Sequence, residues 1–264
     1  MSPCLNFPLP LKSLFHQKHL KPQKSIGSRM NLRSKLIDTI VNDRITTTMI
    51  CDVMNKSGYL GQIKPINSGC FAAGEVKYVF AHSGSNYHLH EQLANIEEDK
   101  IIYVDAIDCG ERAVFGDIVT QYLLQHRRAR AIVTNGFMRD VNDLIREKSL
   151  VWCHGGTPIG CHNVSLPVPV ATAALVEERR KFFEESILIC DDSGVAMLTP
   201  DWITPDFEQK LEFIEAQEAV WHYCVNTLKW STFETVALKK YFDVPDMIPR
   251  AMMDKLKAFD TSTR

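Results

Sequence analysis

The sequence predicts a mixed α/β fold, and three observations predict it. Short apolar runs recur at 74–81, 100–105, 131–134, 150–153, 164–170, 186–190 and 195–199. Stretches with helical spacing separate them near 88–95, 117–125 and 141–147. That alternation builds a layered domain in which helices cover strands. Composition is the third observation: 45% hydrophobic and 23% charged residues over 264 positions supply one sizeable core, or a core with an appendage.

Residues 1–29 differ from the rest of the chain. No acidic residue precedes Asp38, and Pro3, Pro8, Pro10 and Pro22 punctuate the segment. It has little apolar surface to bury, so a disordered basic arm is expected. A transit peptide is the alternative reading, and Met30 an alternative start. Residues 30–58 read as two helices, the second capped within Ile45-Thr46-Thr47-Thr48. His82, His88 and His90 then gather near Glu91. Three histidines and a carboxylate are metal-binding chemistry. The preferred reading is a helix start capped by Ser85 or Asn86, with the histidines on the surface. Asp191-Asp192-Ser193-Gly194 reads as a hairpin turn rather than a metal site, because Asp and Gly are turn residues. Residues 30–200 are expected to form the α/β domain and 201–264 a helical extension. In the extension Phe207, Leu211, Ile214, Trp221, Val225 and Leu228 recur at helical spacing. Trp221 and Trp230 read as packing residues.

Composition also excludes. A formal net charge of −2 provides no basic field for nucleic acid. No apolar run is long enough to span a bilayer. The eight cysteines include no Cys-x-x-Cys pair. They read as reduced, mostly buried thiols of a cytoplasmic protein, with a zinc site at Cys153-His154 and Cys161-His162 as the alternative.

The chemistry concentrates in Ala131-Ile-Val-Thr-Asn-Gly-Phe-Met-Arg-Asp140. A strand, a tight turn at Asn135-Gly136 and a helix start at Val141 would set a cation beside an anion at a carboxyl strand end, where open α/β layers bind ligands. Arg139 can grip a carboxylate with two hydrogen bonds. Asp140 can hold a hard divalent cation. Upstream, Phe115-Gly116-Asp117-Ile118-Val119 reads as another helix start, with Ile118, Val119, Tyr122 and Leu123 as its apolar residues. Gly116 allows close backbone approach, and the free N–H groups of a first helical turn favour an anion. Arg127, Arg128 and Arg130 close that helix and read as a solvated charged end.

Gly116-Asp117, followed by Gly136, Arg139 and Asp140, resembles the signature of the RraA-like family, which includes class II 4-hydroxy-4-methyl-2-oxoglutarate aldolases. Lys100-Ile-Ile-Tyr-Val-Asp105 resembles the family strand before the glycine loop. Gly155-Gly156-Thr157-Pro158 resembles its Gly-Thr-Thr-Pro segment, and Ile187 to Pro200 its late hairpin. The resemblance runs from Leu36 to Pro200. Asn135 stands where the family usually has aspartate. Phe137 and Met138 are bulky where it has small residues, and 177–185 lacks its Pro-Gly-Asp turn.

The resemblance implies a swivelling β/β/α layered sandwich and a lyase acting on a short 2-oxo acid. It implies Arg139 on the carboxylate or ketone oxygen and Asp140 on Mg²⁺ or Mn²⁺. The loop at Gly116, Asp117, Ile118 and Val119 would hold the anionic end. Retro-aldol cleavage and oxaloacetate decarboxylation share an enolate, so both are implied. A homo-oligomer, a trimer or hexamer, is implied, with a base from a neighbouring C-terminal segment for which Glu212, Glu215 and Glu218 are available. The alternatives are a non-catalytic regulator that binds a ribonuclease and another reaction on a 2-oxo or 2-hydroxy acid.

Overall fold

The computed structural model describes residues 26–260. The arm expected at 1–29 and its transit-peptide alternative fall mostly outside the described residues. The described residues divide into two compact units, one ending at Ile203 and the next beginning at Thr204. Among them, no helix is long and apolar enough to cross a membrane.

The first unit opens with the two expected helices, α1 (Ile26–Asn42) and α2 (Thr47–Val53). Thr46 caps α2, its hydroxyl accepting the Met49 N–H at 3.3 Å. A seven-stranded sheet comes next, in the order β1 (Lys64–Pro65), β7 (Val151–Cys153), β5 (Ala131–Thr134), β3 (Ile101–Ile107), β2 (Ala72–His82), β9 (Ile187–Asp191), β10 (Gly194–Leu198). The inner strands β2, β3, β5 and β7 run parallel. β1, β9 and β10 pair antiparallel, and Asp192-Ser193 turns the β9–β10 hairpin as its residue types demand.

Both faces of the sheet are covered, so its strands are apolar on both sides and not merely on one. Tyr78, Tyr103, Val133 and Trp152 face one core with Val176 and Phe183 of α6 (Val170–Glu184). Val79, Val104, Ile132 and Val151 face the other. There they meet Leu89 and Leu93 of α3 (Tyr87–Leu93), Leu144 of α5 (Val141–Arg146) and Leu123. On this second side lies a three-stranded sheet of β4 (Ala113–Phe115), β6 (Phe137–Met138) and β8 (Gly155–Gly156). Two sheets with helices make the expected mixed α/β sandwich.

Two sequence expectations fail here. The strand expected at 164–170 does not form. Pro167 and Pro169 remove the N–H groups a ladder needs. The extended segment is held instead by carbonyls: Ser85 Oγ donates to Val164 O at 2.6 Å, and His88 Nε2 lies 2.8 Å from Leu166 O. The helix α6 that begins after Pro169 was not expected, although Ala171, Ala173, Ala174 and Leu175 are good helix formers. The other correction concerns α4 (Asp117–Gln121), which passes directly into a π-helical turn, Tyr122–His126. Of the expected apolar residues, Leu123 is buried and Val119 packs against the core, whereas Ile118 is 77% exposed and Thr120 takes the buried position one turn before Leu123.

In the second unit, α7 (Phe207–Asn226) packs Ala216, Val220 and Cys224 with Tyr241, Ile248, and with Met253 and Leu256 of α8 (Arg250–Asp260). Trp221 and Trp230 pack against this cluster, as expected of packing residues. Glu212, Glu215 and Glu218 lie on α7.

Candidate active site at the Arg139–Asp140 turn

The site is built where β3 and β5 end. Asp105, buried near the end of β3, accepts from Tyr78 Oη at 2.6 Å, from Arg179 Nη1 at 2.7 Å and from Asn135 Nδ2 at 2.8 Å. Asn135 Oδ1 in turn accepts the Ala106 N–H at 2.7 Å. The two strand ends are thereby tied together. A carboxylate at 135 would face Asp105 with no proton to share, whereas an amide donates, which explains Asn135 physically. Burial, then the Asp105 charge, pushes the Tyr78 hydroxyl far up. Burial opposes the charge on Arg179, but Asp105 overrides it and holds the guanidinium protonated.

The turn expected at Asn135-Gly136 leads first into β6. β6 pairs with β4 through Ala113↔Phe137 and Phe115↔Met138. Arg139 N–H then donates to Phe115 O at 3.0 Å, which sets Arg139 directly beside Gly116. Asp140 occupies the N-cap position of α5 in the left-handed region, φ 58°, a conformation Asp tolerates. Its side chain makes no cap bond to α5. It turns back towards α4: Asp140 Oδ2 lies 3.6 Å from Arg139 Nε and 3.4 Å from the Asp117 N–H.

Gly116 is required by space. Its φ of −137° is open to any residue. A Cβ there would lie 2.0 Å from Asp140 Oδ2 and 3.3 Å from Arg139 Cβ. The glycine thus leaves the room in which the Asp140 carboxylate sits.

Gly116, Asp117, Ile118, Val119, Arg139 and Asp140 line one cleft of about 290 Å³. Every site residue named from the sequence is in it. Arg139 and Asp140 also line a wider cleft of about 810 Å³ with Asn142, Asp143, Thr157 and Pro158. Sequence reasoning missed Asn86, His90, Gly160, Cys161 and Asn163, which complete the smaller cleft. Their sequence signals point elsewhere: Asn86 to a helix cap, His90 to a surface histidine or a metal, and Cys161 to a buried thiol or a zinc site.

The histidines divide three ways. The N-cap position is Asn86, whose side chain donates to Val114 O at 2.9 Å rather than capping, while Ser85 Oγ accepts the Tyr87 N–H at 3.3 Å. His90 is exposed and reaches the cleft edge. His82 is not on the surface: it is 1% exposed, stacked on His88 with ring centroids 5.5 Å apart. Burial, then His88, holds the His82 ring below its ordinary range. Hydrogen bonds to Glu91, then to Leu166 O, raise His88. Burial pushes the Cys153 thiol up to about 11 and lowers His154. Among the described residues no group of three His, Cys, Asp or Glu converges on a metal position, so Cys153-His154 and Cys161-His162 do not form the alternative zinc site.

A family model described as RraA-like, Aldolase/RraA, matches residues 47–197, more than half of the chain. The chain belongs to the RraA-like family. Solved structures share the fold. An uncharacterized protein from Pseudomonas syringae pv. tomato str. DC3000 superposes with TM-score 0.54 at 16% identity, over 74% of this chain and 93% of that one. Streptomyces coelicolor RraAS2, described as an unusual member of the RNase ES inhibitor RraA protein family, gives TM-score 0.51 at 17% identity, over 70% and 93%. At such identities the likeness concerns the fold alone. No curated protein matches the sequence. The RraA-like match ends at residue 197, before the second unit, and spans both Gly116-Asp117 and Arg139-Asp140.

Proposed function

We propose that the chain is a divalent-metal-dependent lyase that cleaves a carbon–carbon bond in a short 2-oxo acid. The observation that carries this is the space kept clear at Gly116, which seats the Asp140 carboxylate next to the Arg139 guanidinium at a cleft mouth. Asp140, with Asp117 on the same cleft wall, is a hard oxygen donor set. One or two carboxylates completed by water suit Mg²⁺ or Mn²⁺ and not zinc. When bound there, such a cation supplies Lewis acidity against the negative charge that develops on the substrate carbonyl oxygen.

The chain's own residues do the rest. Arg139 is half-exposed and its guanidinium faces Gly160, so a substrate carboxylate can reach both prongs. That grip orients the ketone towards Asp140. The N–H groups of the first turn of α4 give the anionic end a second hold. Ile118, exposed where it lines the cleft, offers apolar surface for another copy of the chain to cover. The reading therefore includes a homo-oligomer, with Glu212, Glu215 and Glu218 as the candidate bases. A cytoplasmic setting and a small-molecule partner belong to the same reading.

Pyruvate release from oxaloacetate and from 4-hydroxy-2-oxo acids, with and without Mn²⁺, tests it. Metal-dependent release from at least one of them is expected. No release from any, with metal bound, would leave the ribonuclease-binding alternative.

Arg139→Lys keeps the charge and loses the fork. A charge-assisted hydrogen bond is worth about 1.5–3 kcal/mol, so kcat/KM should fall roughly ten- to a hundredfold. Full activity in the lysine variant would show that the fork is unused. Gly116→Ala drives a methyl into the Asp140 carboxylate while leaving the backbone free. Mn²⁺ affinity should fall roughly 10–100-fold, as when the support of a metal ligand is lost, with the melting temperature little changed. Wild-type affinity in this variant would mean that Asp140 does not hold the cation from this position.

A further inference from the structure

The β3–β4 loop and the segment after β8 bring two cysteines together. Cys109 is 4% exposed with its thiol donating to Ile107 O at 3.6 Å, and Cys161, whose N–H donates to Ala113 O at 2.9 Å, packs against the same apolar cluster. Cys161 is partly exposed and lines the smaller cleft. Its neighbour Gly160 packs on Arg139: a Cβ at Gly160 would lie 3.3 Å from Arg139 Nη1. Arg112 reaches the same segment, donating from Nη1 to Gly160 O at 3.0 Å.

The two sulfurs are unequal. The interaction with Cys109, and behind it the Arg112 charge, outweigh burial and hold the Cys161 thiol below its ordinary range. On Cys109 the same interaction, then burial, pushes the thiol far up. One sulfur is therefore the more acidic and has access to solvent, and its neighbour in the cluster is buried. The other partly exposed cysteines, Cys51 and Cys70, are both raised, chiefly by burial. Redox-sensing cysteines combine thiolate character, exposure and an adjacent resolving thiol, and among the described cysteines Cys161 combines all three.

We propose that Cys161 and Cys109 are an attacking and a resolving thiol that close into a disulfide in the wall of the Arg139 cleft when hydrogen peroxide reaches them. The Cys161 thiolate attacks one peroxide oxygen. The O–O bond breaks, hydroxide leaves and takes up the proton lost from Cys161 as water, and Cys161 becomes a sulfenic acid. Cys109 sulfur then attacks Cys161 sulfur. The S–O bond breaks, and the hydroxide departs with the Cys109 proton as a second water. Two thiols and one peroxide thus give one disulfide and two waters. The sulfurs close to about 2.05 Å, which pins the wall next to Arg139 to the β3–β4 loop. A dithiol reductant reverses the step.

The test treats the full-length protein with one equivalent of hydrogen peroxide, blocks free thiols with N-ethylmaleimide and maps peptides by mass spectrometry. A Cys109–Cys161 cross-link, lighter by two hydrogens, is expected before any oxidation of Cys51 or Cys70. Cys109→Ser should stop at a Cys161 sulfenic acid that dimedone captures, and Cys161→Ser should leave Cys109 unlabelled. Absence of the cross-link in the wild-type protein would overturn the proposal, whatever the variants do. So would first labelling at Cys51, at Cys70, or at Cys109 in the Cys161→Ser protein.

Discussion

Asp140→Asn is expected to remove most turnover, by roughly 10²–10³-fold, the cost of losing one preorganised charge-stabilising group. The reasoning is electrostatic. An amide keeps the size and the left-handed backbone that Asp140 adopts at φ 58°. It loses the negative charge that would attract a divalent cation and that now faces Arg139 Nε at 3.6 Å. Stability should hardly move, because the side chain does not cap α5 and is one-third exposed. Isothermal titration with Mn²⁺ checks the claim: affinity should collapse in parallel with turnover. Unchanged Mn²⁺ affinity would remove Asp140 from the metal site, whatever happened to activity.

Asp105→Ala is the substitution expected to cost most stability. It leaves Arg179, 17% exposed, without its partner, and strips the acceptor from Tyr78 Oη and from Asn135 Nδ2. Removing one side of a buried ion pair costs about 3–5 kcal/mol, a large part of the stability of an ordinary domain. Urea unfolding should show the midpoint falling with little change in slope. The double variant Asp105→Leu with Arg179→Met should recover much of the loss, because no uncompensated charge remains. If Asp105→Ala proved as stable as the wild type, the link between the ends of β3 and β5 would not be what holds the Asn135–Asp140 turn.

These two positions differ in how far the sequence revealed them. Asp140 stood out because its neighbours are informative: an apolar run, a glycine turn and an adjacent arginine form a local pattern. Asp105 looked like the polar end of a strand, and its partners come from positions 78, 135 and 179. The same contrast explains the errors. The run at 164–170 is apolar enough for a strand, but Pro167 and Pro169 forbid its ladder. On the helix at Asp117 the buried positions are Thr120 and Leu123, one turn apart, which leaves the more apolar Ile118 on the exposed side. His82 went inward because β2 continues to residue 82 and its final residues are covered by α3.

By itself, the sequence determined the elements whose signal is local. The doubly covered strands declare themselves through unbroken apolar runs, the α2 cap through Thr46, and the β9–β10 turn through Asp and Gly. It also placed Gly116, Asp117, Arg139 and Asp140 in one motif, through the resemblance of their order and spacing to the RraA-like signature. Tertiary structure alone decided the second sheet, whose strands β6 and β8 are two residues each and exist only through pairing. It decided that Gly116 serves Asp140 by making room, since a close approach between residues far apart in the chain leaves no periodic trace. It also decided that Cys109 and Cys161 pack in one cluster, for nothing in their separate surroundings brings two distant loops together.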